Sequence, residues 1–111
     1  MSEQKLKIRA LNDHVRRSFL FGRVVMTSAV SALPDEAMQA LFMEVQTFEE
    51  FTPDNDPHGE HDFGAIQFRG NTWFWKIDYF KRGSECTLGS DDPSNSDETE
   101  RVLTIMRADE Y

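Results

Sequence analysis

From Lys5 to Phe19 the apolar residues Ile8, Leu11, Val15 and Phe19 recur at the spacing of one helix face, leaving Lys5, Arg9, Arg16 and Arg17 toward water or a partner. Gly22 follows where a left-handed residue commonly closes a helix. Arg23 to Val30 is rich in β-branched residues and reads as a strand. Pro34 with Asp35 and Glu36 opens a second helix, because proline suits the first turn and carboxylates suit the positive end of the dipole. Its buried stripe is Met38, Leu41, Val45 and Phe48, and it frays before Pro53. Between Phe63 and Tyr79 the period drops to two, around Gly70-Asn71, which predicts a hairpin with those two residues as its turn. That register sets Phe68 opposite Trp73, Ile66 opposite Trp75, Gly64 opposite Ile77 and Asp62 opposite Tyr79. Phe68, Trp73, Ile66, Trp75, Ile77 and Tyr79 then share the core face, and Gly64 marks a place where another group approaches the backbone.

After the hairpin, Lys81 to Asp97 is a long polar loop holding Gly83, Gly89 and Pro93. Its length implies either a brief pairing at Cys86 to Leu88 or a functional or mobile loop. Ser96, Asp97 and Glu98 resemble a helix start, and Val102, Leu103 and Met106 continue it, so a final helix is expected over about Thr99 to Asp109; the run VLTIM leaves a fourth strand as the alternative. The fold expected is α+β and a single domain over residues 1–111. It has a small antiparallel sheet of three to four strands, built on the central hairpin, with two to three helices packed on it.

At 111 residues with 39% apolar and 29% charged positions, the chain can fold around one modest core and has no run long enough to span a bilayer. The N-terminal stretch lacks the apolar centre of a signal peptide, and the lone Cys86 forbids an internal disulfide and a cysteine-built zinc site, so a cytoplasmic protein is expected. The net charge of −8 is distributed in blocks: residues 34–62 carry nine acids and neither Lys nor Arg, while residues 1–33 carry six basic groups against two acidic ones.

Chemistry concentrates in the acidic loop from Thr52 to Asp62. Asp54, Asp56, His58 and His61 are candidate metal ligands, and Asp54-x-Asp56-x-His58-Gly59 imitates the start of a calcium loop. The imitation ends at its twelfth position, which is Ala65 instead of Glu. Pro57 and Gly59 also exclude the helical histidine pair of zinc hydrolases. A metal-free alternative makes His61 a general base oriented by Glu60 or Asp78, but no nucleophile stands in a recognisable context. In the structural reading, Asp54 to Pro57 turn the chain through side-chain bonds to backbone, Asp56 and His61 are buried and bonded, and Asp62 accepts from Tyr79 across the ladder. No cofactor is implied.

With DNDPHGEHDFG at 54–64, FWKIDY at 74–79 and TERVLTIMRADEY at 99–111, the chain resembles a domain-of-unknown-function family of small proteobacterial proteins, often carried on plasmids and prophages. The likeness runs from about Asn12 to Tyr111. The family pattern accepts Tyr where His58 stands, which speaks against a ligand role for it. The resemblance implies no activity. It implies a mobile-element setting, in which small acidic proteins that disable host defence, including anti-CRISPR proteins, are common. The function expected is therefore a non-enzymatic inhibitor whose carboxylates occupy the basic nucleic-acid-binding surface of a partner protein complex. The candidate contact residues are Asp35, Glu36, Glu44, Glu49, Glu50, Asp54, Asp91, Asp92, Asp97, Glu98 and Glu100. The alternative is a small hydrolase or nuclease using the Asp54 to Asp62 loop. Direct nucleic-acid binding through the basic N-terminal helix with Arg69, Lys76, Lys81 and Arg82 is opposed by the overall charge, and no membrane partner is expected.

Overall fold

A computed structural model describes residues 2–111. The chain runs α1 (Glu3–Ser18), β1 (Arg23–Met26), α2 (Ser28–Ser31), α3 (Asp35–Gln46), β2 (Phe63–Phe68), β3 (Asn71–Lys81) and β4 (Thr99–Arg107), ending in a 3-10 turn at Ala108–Glu110. The four strands form one sheet in the order β1-β4-β3-β2. The α+β architecture is the one the sequence implies, but the sheet is mixed, because β1 lies parallel to β4 while the other pairs are antiparallel. No described helix is long and apolar enough to cross a membrane.

α3 and the residues after it bury the stripe the sequence prescribes, whereas α1 buries Ile8 and Val15 together with Asn12 and Arg16 and leaves Leu11 half-buried. Ser2 caps α1 by accepting from the Lys5 N–H at 3.1 Å. The C-cap is Phe19 in the left-handed region, not Gly22. Its ring packs edge-on to Phe42 at 5.5 Å, a contact that offsets the backbone cost. Gly22 serves close approach instead, since a Cβ there would lie 3.0 Å from both the Arg101 carbonyl and Val15. The run expected as one strand to Val30 stops at Met26, and α2 carries Val30 into the core. Val15, Val30, Leu41 and Val45 from the three helices meet Ile66, Trp73, Trp75, Ile77, Leu103 and Ile105 on one sheet face.

The hairpin turns at Arg69-Gly70, both with positive φ, and not at Gly70-Asn71. Arg69 takes the position with its guanidinium over the Phe68 ring, 5.7 Å from the centroid. The register therefore slips by two residues: Phe68 faces Asn71, Ile66 faces Trp73 and Gly64 faces Trp75. A slip of two preserves which side chains point inward, so the predicted core face survives. The group approaching Gly64 is the Trp75 indole, with Phe48 behind it.

The expected final helix is a strand. β4 is central and nearly continuously buried, with Leu103 and Ile105 on the helix side and Val102 and Met106 on the other. A run buried on both faces loses the alternation that distinguishes strand from helix. The preceding loop does pair briefly, at Leu88 to Ser90 and not across Cys86 to Leu88: Lys81 donates to the Leu88 carbonyl at 2.7 Å and Ser90 to the Tyr79 carbonyl at 3.0 Å.

Candidate functional site

The acidic loop is tied down where it meets α1. His61, at φ 57°, lays its ring flat on Phe51, 3.7 Å between centroids. Its Nδ1 lies 2.9 Å from Asp13 Oδ1, its Nε2 lies 3.7 Å from Asp56 Oδ2, and its backbone N–H donates to Asp56 Oδ1 at 3.1 Å. Asp56 is 8% exposed. Asp13 also accepts from Arg16, whose side chain is fully buried. Arg16 donates to the Val45 and Gln46 carbonyls at the C-terminal end of α3, at 3.0 and 3.1 Å, with its guanidinium over Phe51 and Trp75. Burial pulls its pKa down and Asp13 pushes it back up. The stripe of α1 predicts an outward Arg16; the side chain packs inside the core instead.

A second layer hangs on Tyr79. Its hydroxyl donates to Glu60 Oε1 at 2.7 Å and accepts from Asn12 Nδ2 at 2.7 Å, while Asn12 Oδ1 accepts from Arg101 Nε at 2.8 Å. The two-residue slip explains the partner: Tyr79 meets Glu60, where the expected register offered Asp62. Burial raises the Tyr79 pKa, the Asn12 bond lowers it and Glu60 raises it, so the hydroxyl stays a donor. Asp62 is raised, first by burial and then by Glu60.

Of the residues considered for catalysis, His61 is oriented by Asp13 and Asp56, Glu60 is occupied by Tyr79, and Asp78 pairs with Lys76 at 2.9 Å on the opposite sheet face. Of the metal candidates, Asp56 and His61 come together while Asp54 and His58 are exposed. Among the described residues no three His, Cys, Asp or Glu side chains form a group that could hold a metal ion. Asp56, His58 and His61 border a shallow depression of about 560 Å³ with Lys5 and Arg9, the latter donating to the Gly59 carbonyl at 2.7 Å.

Eight of the eleven acids proposed for partner contact separate into three places, and Asp54 stands apart, exposed on the acidic loop. Asp35 and Glu36 start α3; Glu44, Glu49 and Glu50 line a groove between the far end of α3 and β2; and Asp91, Asp97 and Glu98 border a depression with Lys81 and Arg82. Nine of the eleven are exposed, and of these only Glu49 has a cation within 4 Å, Arg17, among the described residues. The other two are occupied internally. Asp92 accepts from Ser94, which holds its carboxyl below the usual range, and Glu100 accepts from the Cys86 thiol and faces Arg23.

A family model matches residues 26–110, more than half of the chain. The chain belongs to the family described as "Protein of unknown function (DUF3768)". No curated protein and no solved structure matches it. The DUF3768 match takes in Phe51, Asp56, Glu60, His61, Tyr79 and Arg101, while α1 with Asn12, Asp13 and Arg16 precedes it. Those α1 residues, together with Arg101, are the ones sequence reasoning missed. For α1 the signal was present, since Ile8, Asn12, Val15, Arg16 and Phe19 lie on one helix face and two of them are polar.

Proposed function

We propose that this protein is a non-enzymatic, acidic inhibitor that docks its exposed carboxylates on the basic nucleic-acid-binding surface of a host defence complex, in the manner of an anti-CRISPR protein carried on a mobile element. The observation that carries this reading is the exposed set itself. Asp35, Glu36, Glu44, Glu50, Asp54, Asp91, Asp97 and Glu98 point to water with no cation within 4 Å among the described residues, on a chain of net charge −8. The histidine and its partners, by contrast, are spent on tying α1 to the loop. Carboxylates fixed on a folded surface substitute for backbone phosphates, and their attraction to Lys and Arg grooves weakens steeply with salt.

The test is protection of an incoming plasmid in cells carrying a nucleic-acid-guided defence system. Expression of the protein is expected to raise transformation by a targeted plasmid. Reversing Glu44, Glu49, Glu50, Asp91 and Asp97 to Lys is expected to abolish that protection without changing the circular dichroism spectrum. Protection that survives the reversal overturns the reading.

A further inference from the structure

The hairpin leaves one long edge of the sheet open. Ile77 donates to the Asp62 carbonyl at 2.9 Å, which makes Asp62 and Ile77 a hydrogen-bonded pair, and the alternation of an antiparallel ladder then makes Gly64–Trp75, Ile66–Trp73 and Phe68–Asn71 bonded pairs as well. Phe63, Ala65 and Gln67 therefore turn their N–H and C=O groups away from β3, and no described backbone or side-chain group bonds them. Sheet edges are normally closed by proline, a bulge, inward charge or a covering segment. The edge of β2, Phe-Gly-Ala-Ile-Gln-Phe, has no proline, no charged side chain and an unbroken register. Beside it runs the groove of about 360 Å³ whose walls are Glu44, Glu49 and Glu50 on one side and Ala65, Ile66 and Gln67 on the other. No cation lines this groove, although Arg17 reaches Glu49 from its rim.

We propose that the free edge of β2 is the docking site of an extended basic segment of the partner protein, which adds as a fifth strand and carries Lys or Arg at every second position. Strand addition supplies affinity through main-chain bonds to Phe63, Ala65 and Gln67, and alternate side chains supply selectivity. An added strand lies about 4.8 Å outboard of β2, with half its side chains turned toward the helix layer. Those side chains meet Glu44, Glu49 and Glu50, so charge fixes what they are. The other half lie beside Phe63, Ala65 and Gln67, two of which are exposed and small or polar, and they tolerate neutral residues. The proposal rests on the inhibitor reading and names where and how its partner is held.

The experiment titrates the full chain, isotope-labelled, with an end-blocked octapeptide alternating Lys and Val, a matching Glu and Val peptide, and a Lys and Val peptide N-methylated at every amide, which removes the donors of both strand edges. Expected are saturable binding of the first alone and slowed hydrogen exchange at the Phe63, Ala65 and Gln67 amides. The N-methylated peptide, with the same charge and no edge pairing, is expected to bind at least tenfold more weakly. Ala65→Pro removes an outward N–H that β3 does not use, and is expected to lose peptide binding while keeping the spectrum of the fold. Equal binding of the methylated peptide, or unprotected amides at saturation, overturns strand addition while leaving charge docking in place. Failure of the inhibitor reading itself shows separately, as plasmid protection that survives reversal of the five acids.

Discussion

Arg16 is a cation held at zero exposure between two aromatic rings. Desolvating it costs several kcal/mol on general grounds, and the compensation is three acceptors, the Val45 and Gln46 carbonyls and Asp13. Arg16→Met removes the cation these acceptors share, leaving Asp13 with His61 alone and the Gln46 carbonyl without its guanidinium donor, and is expected to lower unfolding free energy by about 3 kcal/mol in chemical denaturation. A loss of less than about 1 kcal/mol means the carbonyls find other donors and the arginine is dispensable. Gly64 is a site of the opposite kind, where nothing fits. A Cβ there would stand 2.6 Å from Trp75 Cε2 and 2.9 Å from Phe48 Cζ. Gly64→Ala is expected to destabilise by about 3 kcal/mol through overpacking, seen as a lower denaturation midpoint, and an unchanged midpoint would show that the Trp75 ring swings aside freely.

Between elements, the tie most open to measurement is Glu110. Its carboxylate accepts from Thr27 Oγ1 at 2.6 Å, the Arg107 N–H at 2.8 Å and the Ala29 N–H at 3.0 Å, fastening the start of α2 to the end of β4. The Thr27 bond, ahead of those to Ala29 and Arg107, holds its pKa below the ordinary 4.5, against a smaller opposing effect of burial. A depressed folded pKa means stability that is present above 4.5 and lost as pH falls through the folded value. Glu110→Gln is therefore expected to be less stable than the parent at neutral pH, with the gap closing in urea titrations as pH falls below the ordinary 4.5 and through the depressed folded value. A gap independent of pH would show that the bonds act without their charge. Asp62 works in the other sense, since burial raises its pKa and its charge opposes folding above that value, so the comparison must be parent against variant.

These elements also show what a sequence can reveal. The stripe of α3 and the inward face of the hairpin were legible, because each buries one side and leaves the other wet. Thr99 to Arg107 was not, because Val102 and Met106 are buried on one face and Leu103 and Ile105 on the other, which erases the period. Arg69 hid the true turn, since a left-handed arginine is unusual and Asn71 is an ordinary turn former. Asp56 and His61 were legible as a bonded pair; the partners that complete the site, Asp13 and Arg16, were masked by the habit of reading helix charges as solvent-facing.

For the whole molecule, sequence order and spatial order disagree, and the disagreement falls on β4. It lies between β1 and β3 although it is made after both. Neither β1 nor β3 can fill its inner edge until residues 99–107 pair between them, so the sheet closes only when the last strand is in place. Long-range pairing of this kind is slow and exposes aggregation-prone edges in the interval. The cell that makes this protein must keep a half-built sheet from closing on a stranger, and the interval ends when the strand carrying Leu103 and Ile105 enters the gap.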